Sequence, residues 1–536
     1  MTPAQRTSPA ARPRPAGRAG LAEVARGGVL NLAGAAVSAV ATLGITILVT
    51  RHFHQEIAGA FFAATSLFLI AEAVSGLGAF NGAVYFIARL RSLHAESRIP
   101  VILKAAVIPV AVCSVAAAVA LVIFALPLAR GLLGSQLSHG TNPAEVARAL
   151  RVLAAALPFA ALADTFLGAS RGYRDMRPTV AVDRVGRSCL QAAGVLVAVL
   201  ASSTALLAPL WALPYVPAGV AAWLWLRRIQ RRGAGRAVAE SSATETSTAE
   251  TSTAETPATS TPVTATAGGF WRFTAPRALA SVAQIVIQRL DIVLVAVMRG
   301  PAEAAVYTAA TRFLVVGQLA NAAISMAAQP QLTHLFAVRD RPGANAVYQA
   351  TTAWLIVLTW PLYLLAMIYG PEVLAVFGHS YRAGSSVMLI LGLAMLVATG
   401  CGQVDMVLIT TGRSSWSLIN GLLAVAVNVA LDLALIPRYG IAGAAIGWAA
   451  AIAVTNLVPL VQVAIAARVH PFGPGSAVAC LLSALSFGAI PVAVRATAGS
   501  GAATSGVAVA AGCAVMAAGL WRFRAVLGNG LTTFRR

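Results

Sequence analysis

Charge is scarce in this chain: 11% of its 536 residues are Asp, Glu, Lys or Arg, where a soluble protein carries roughly 25%. The polar alternation that gives a soluble helix or strand its wet face is missing over most of the length. With 58% hydrophobic residues, this composition excludes a disordered chain and an ordinary soluble enzyme. The five cysteines, Cys113, Cys189, Cys401, Cys480 and Cys513, are scattered through apolar stretches, so they build neither a disulfide scaffold nor a zinc or redox pair. The seven histidines show no HExxH or paired-ligand spacing, and there is no Walker sequence. No catalytic constellation, metal, cofactor or ATP hydrolysis is therefore expected.

What the chain does contain is long apolar runs. A hydrocarbon core of about 30 Å needs about 20 apolar residues of helix. Fourteen segments qualify: 27–50, 57–80, 100–128, 149–169, 185–202, 205–226, 275–298, 303–327, 347–369, 385–410, 415–436, 441–466, 476–494 and 504–521. The net charge of +21 would suggest nucleic acid in a soluble domain. Here it marks topology instead, because Arg and Lys resist translocation. With the N-terminus inside, inner tails and loops hold 29 Arg and Lys residues and outer loops hold eight. That asymmetry predicts a multi-pass protein of the plasma membrane with both termini cytoplasmic and no nucleic-acid partner. The Arg- and Pro-rich first 26 residues lack the short apolar core and cleavage site of a signal peptide.

The expected organisation is a basic tail over 1–26, a six-helix lobe over 27–226, a disordered cytoplasmic linker over 227–270, a second six-helix lobe over 271–468, two further helices over 469–521, and a basic tail over 522–536. The linker is recognised by its switch to Thr, Ser, Ala and Glu, with TSTAE in tandem at 246–250 and 251–255. Two short self-matches support a duplication. Ala63-Ala64-Thr65 aligns with Ala309-Ala310-Thr311, and Asp164 followed by Ser170 aligns with Asp405 followed by Thr411. Their offsets of 246 and 241 are close, so the lobes read as a parallel internal repeat.

Ionisable residues inside spans cost about 2.5–3.5 kcal/mol on insertion scales and usually face a polar cavity or a partner. Seven stand out: Glu72, Asp164, Arg289, Asp291, Arg312, Asp405 and Asp432. At 1.5 Å of rise per residue, Arg289 lies about 18 Å up the seventh span from its inner end and Arg312 about 15 Å down the eighth from its outer end. Both reach the midplane. Two guanidiniums at one depth call for an anion, either Asp291 in an ion pair that locks the two spans or a phosphate carried by a substrate. Ser281, Gln284, Gln288 and Asp291, at steps of 3, 4 and 3, form one helical stripe, facing either a wet cavity or hydrogen bonds to a neighbouring helix. Asp164, Asp405 and Glu72 are candidates for proton or sodium coupling, with a packing hydrogen bond as the alternative. Asp432 reads as capping a helix end beside Asn428.

Residues 428–449, NVALDLALIPRYGIAGAAIGWA, and 276–313, PRALASVAQIVIQRLDIVLVAVMRGPAEAAVYTAATRF, resemble the polysaccharide-flippase branch of the multidrug/oligosaccharidyl-lipid/polysaccharide (MOP) exporter superfamily. In the first, Pro437 is expected to stop a helix, Gly440 to allow a tight turn, and Gly443 and Gly447 to admit close packing. The resemblance implies two six-helix lobes and two extra C-terminal helices around a central cavity. It also implies movement of a lipid-linked oligosaccharide on a polyprenyl pyrophosphate by alternating access, with a polysaccharide polymerase or glycosyltransferase as partner. Arg289, Arg312, Asp291 and Gln288 are then the substrate-binding candidates. A lipid II flippase shares this plan. A multidrug antiporter does too, though an acid expected in its first spans is represented here only by Glu72. A polyprenyl-dependent glycosyltransferase would need catalytic carboxylates on a sizeable outer domain, and the outer loops hold Glu56, Glu145, Glu303 and Glu372 in short segments.

Overall fold

A computed structural model describes residues 18–133, 142–245, 266–499 and 501–528. Among the described residues every regular element is helical. The first bundle comprises α1 (Arg18–His52), α2 (Gln55–Ser75), α3 (Ala79–Ser92), α4 (Ile99–Ile123), α5 (Ala125–Leu133), α6 (Pro143–Gly172), α7 (Ser188–Leu200), α8 (Thr204–Ala212) and α9 (Tyr215–Glu245). The second comprises α10 (Ala267–Arg299), α11 (Pro301–Ala310), α12 (Phe313–Ala337), α13 (Arg341–Ile368), α14 (Gly370–Leu374), α15 (Ser385–Gly400), α16 (Val404–Thr410), α17 (Ser414–Tyr439) and α18 (Ile441–Ala466). After them come α19 (Pro474–Ala484), α20 (Ile490–Ala498), α21 (Ala502–Arg522) and α22 (Arg524–Gly528), of which α19 packs on α13 and α21 on α20.

Twelve helices among the described residues are long and apolar enough to cross a membrane, against the fourteen expected. The two expected segments outside that set are both helical but interrupted. Segment 185–202 enters through a π-helical stretch, Thr179–Arg187, before the 13-residue α7. Segment 303–327 is cut by a turn at Thr311 and Arg312 between α11 and α12. The expected linker also changes: α9 continues to Glu245 and α10 starts at Ala267, so much of 227–270 is helical, and 246–265, with both TSTAE copies, lies outside the described residues.

Helix ends follow local chemistry. Asn142, Thr266 and Asp340 accept backbone N–H groups at the starts of α6, α10 and α13, as N-caps do. Pro437 does not stop α17, which runs two residues further, to Tyr439. Gly440, at φ 57° and ψ −135°, makes the turn into α18. Gly443 and Gly447 then lie against α17 with no room for a side chain, as the motif predicts.

The loops sort to two ends. At one end Arg91 donates to the Tyr173 carbonyl (2.9 Å), Trp225 to Asp175 (3.3 Å) and Gln349 to the Phe472 carbonyl (3.0 Å). At the other, Arg51 donates to the carbonyls of Val376 (2.6 Å) and Ala375 (3.2 Å), and Arg495 pairs with Glu372 (3.2 Å). The first set joins loops expected inside, the second loops expected outside.

The bundles meet where α2 runs along α10 and α11. Gly59 sits directly under the Pro301 carbonyl, in space that a methyl group would have to take from backbone. Gly59→Ala is expected to cost about 1–3 kcal/mol through overpacking, read as a lower melting temperature in detergent. A melting temperature equal to the parent's would show that this contact does not hold the bundles together.

Candidate functional site

Helix α10 divides two cavities. Its residues Ser281, Ile285, Arg289 and Ile292 face one of about 560 Å³, and Gln284, Ile287 and Gln288 face another of about 720 Å³. The stripe of Ser281, Gln284, Gln288 and Asp291 is therefore split: Ser281 turns to the first cavity, the two glutamines to the second, and Asp291 to neither. Steps of 3 and 4 keep residues on one broad face, but that face is wide enough to span two chambers.

The first cavity is charged. From the first bundle it receives Glu72 of α2, Asp164 of α6, Asp183 and Arg187 of the π-helical stretch, and Tyr215 of α9; from the second it receives Arg289 and Arg312. Arg187 is fully engaged: it pairs with Asp183 (2.7 Å), donates to the side-chain oxygen of Gln191 (3.0 Å) and to the Tyr215 hydroxyl (3.3 Å), and lies over the Tyr215 ring. Sequence alone does not single out Asp183, which falls outside every expected span, or Arg187, which sits at the start of 185–202 and counts among the inner-loop basic residues. Their i,i+4 spacing is the signal that could have found them, and a π-helical insertion frequently marks a functional position.

Arg289 and Arg312 line this same cavity, Arg289 from α10 and Arg312 from the turn between α11 and α12. Among the described residues neither makes an ion pair. Arg312 sits in the turn that breaks its span, and its Nε donates to the Thr308 carbonyl one turn back (3.0 Å). The remaining N–H groups of its planar fork stay available to a ligand.

The Arg312–Asp291 ion pair, one of the two readings the sequence leaves open, is absent among the described residues. At roughly 100° per residue Asp291 lies about 160° around α10 from Arg289, outside the cavity that Arg289 and Arg312 line. Asp291 is buried, accepts the Tyr307 hydroxyl (2.7 Å) and meets the carboxyl group of Asp432 from α17. Asn428 donates to Asp432 Oδ2 (3.2 Å). Asp432 is thus no helix cap; it lies in mid-helix and is fully buried. Ionised carboxylates only accept, so two in contact require a proton or cation between them. One oxygen each of Asp291, Asp432 and Asn428 is buried with no partner, and converging oxygens of this kind suit a proton or a hard cation. Among the described residues no group of three or more His, Cys, Asp or Glu forms a metal site.

The second cavity is polar but nearly uncharged. Gln284, Gln288, Gln318, Asn321, Gln329, Gln403, Asn420 and Asn456 line it, with Trp448 and a single acid, Asp405. Asp405 is exposed and accepts the Ser417 hydroxyl (2.6 Å). It therefore does not share the setting of Asp164, its partner in the repeat, which lies in the unbroken α6 beside Glu72; Asp405 follows a break at Gly402 (φ 68°).

Residues 253–386 match the family model described as "Polysaccharide biosynthesis protein". No curated protein sequence matches the chain. Among solved structures, the lipid II flippase MurJ in an inward closed conformation superposes with a TM-score of 0.67 at 13% identity, covering 91% of this chain and 98% of that one. An inward-facing multidrug resistance MATE family transporter of the MOP superfamily gives 0.59 at 16%, covering 82% and 98%. A MOP superfamily transporter from Pyrococcus furiosus, described by the reverse polarity of its binding pocket, gives 0.53 at 16%, covering 83% and 95%. The chain has the MOP transporter fold that its motifs resemble.

The carboxyl pair has a structural consequence. Asp432→Asn keeps a donor toward Asp291 and is expected to melt within a few degrees of the parent. Asp432→Ala strands buried acceptors and donors and is expected to cost about 1–3 kcal/mol. Equal melting of the two variants would contradict the contact.

Proposed function

We propose that this protein is an alternating-access transporter that flips a lipid-linked oligosaccharide, carried on a polyprenyl pyrophosphate, across the plasma membrane for cell-surface polysaccharide synthesis. The observation that carries this reading is the pair of guanidiniums, Arg289 and Arg312, that face one cavity and make no ion pair among the described residues. A pyrophosphate crossing hydrocarbon loses its hydration, and a fixed pair of planar donors at the midplane replaces it. The family model for polysaccharide biosynthesis over 253–386 points to the same cargo class.

Both ends of the cavity carry contacts between bundles. Gly59 meets Pro301 and Arg51 reaches the Ala375 and Val376 carbonyls at the end assigned outside. Tyr85 stacks on Phe273 (4.0 Å) and Asn81 donates to Ser281 (3.4 Å) at the end assigned inside. Breaking these seams one at a time would expose the arginines to alternate leaflets, while the bilayer holds the cargo's lipid tail. A proton or sodium ion supplies the drive, exchanged at Glu72 and Asp164 beside the cargo or at the Asp291–Asp432 pair. Both termini lie in the cytoplasm, where a glycosyltransferase or polymerase hands cargo on. Lipid II flipping is the second reading, favoured by the likeness to MurJ.

The test is a leaflet-resolved assay of a fluorescent lipid-linked oligosaccharide in vesicles. Arg289→Ala and Arg312→Ala are each expected to lower the flipping rate by tenfold or more, about 1.4 kcal/mol or above in transition-state terms. Unchanged rates in both variants would overturn the proposal, and drug efflux in place of lipid movement would assign the chain to the antiporters.

A further inference from the structure

The second cavity carries a chemistry that pyrophosphate does not need. Of its amide side chains, Gln403 is spent on Ser325 (2.8 Å) and Asn321 (2.6 Å), and Asn420 on Gln462 (2.7 and 3.1 Å). Gln284, Gln288, Gln318 and Gln329 line the same cavity from α10 and α12 and make no side-chain hydrogen bond among the described residues. Each primary amide offers two donors and an acceptor. Four of them facing one space of about 720 Å³ leave a dense mixed array unspent in a region where unspent polar groups are costly. Such an array matches hydroxyl groups, which also donate and accept at one atom. The indole of Trp448 adds an apolar face in the same wall, of the kind that packs against the C–H face of a sugar ring.

Charge narrows the ligand further. No Arg, Lys or His lines this cavity, and its one carboxylate, Asp405, is engaged by Ser417. A uronate or phosphorylated sugar would find no cation there and would meet a like charge. A neutral polyhydroxylated chain finds donors and acceptors without paying a Coulomb penalty.

We propose that the second cavity is the glycan subsite and that it selects a neutral, hydroxyl-rich oligosaccharide, recognised by Gln284, Gln318 and Gln329. This rests on the transport reading above. The head group and the sugars are then recognised on opposite flanks of α10, the pyrophosphate by charge and the glycan by amides. Since the sugar follows the pyrophosphate along the same molecule, one helix that presents both faces sets the order of groups in the cargo.

The experiment uses the full chain in vesicles with three fluorescent farnesyl pyrophosphate probes: the carrier alone, the carrier bearing a neutral glucose trisaccharide, and the carrier bearing the same trisaccharide with a terminal glucuronate. The parent is expected to flip the neutral glycan probe several-fold faster than the glucuronate probe. The triple variant Gln284→Ala, Gln318→Ala, Gln329→Ala is expected to lose about tenfold on the neutral glycan probe, as the loss of two or three hydrogen bonds implies, with movement of the bare carrier unchanged. Equal rates for the neutral and charged probes in the parent, an unaffected triple variant, or an equal loss on carrier and glycan probes would each overturn the subsite. A parent that moves no probe at all would instead overturn the transport reading. Elution as a single species and a parental melting temperature show that the variant is folded.

Discussion

A guanidinium inside a membrane span costs about 2.5–3.5 kcal/mol on insertion scales, and this protein places two on adjacent elements of one cavity, neither in an ion pair among the described residues. Other polar side chains of the bundle are engaged: Arg187 by Asp183, Gln191 and Tyr215, Asp291 by Tyr307, Asp405 by Ser417. Arg289 and Arg312, which among the described residues share one hydrogen bond between them, to the Thr308 carbonyl, face the same cavity as Glu72 and Asp164, so this chamber gathers the unpaired charges of both signs.

Helix α10 gives these groups their directions. Arg289 looks toward the first bundle, Gln284 and Gln288 toward the second, and Asp291 toward α17. Its packing on α2 and α11 ties this division to the seam at which the bundles meet. Motion at that seam, where Gly59 lies under Pro301, would therefore move the arginines relative to the acids of the first bundle. The break at Thr311 and Arg312 serves the same end, since an uninterrupted span would carry Arg312 past without placing it in a turn at the cavity wall.

The apolar runs made the helical membrane class legible, because a span is dictated by length and hydropathy alone. That Arg289 and Arg312 lie within apolar spans is legible for a similar reason, and both line one cavity. What sequence could not supply was azimuth and partner. Depth in adjacent spans leaves Asp291 open as a partner of Arg312, whereas the groups it meets, Tyr307 and Asp432, come from α11 and α17. Asp183 and Arg187 were hidden because basic residues were read as loop markers, and here one of them lies in a π-helical wall of the cavity. Of the fourteen expected spans, 185–202 and 303–327 lie outside the twelve helices among the described residues that are long and apolar enough to cross a membrane.

The most direct test is an experimental structure in lipid nanodiscs with added farnesyl pyrophosphate. Phosphate density within hydrogen-bonding distance of both the Arg289 and Arg312 guanidiniums is the expected result. Either side chain directed at acyl chains, or paired with a carboxylate in a closed helix contact while the ligand sits elsewhere, would contradict the account.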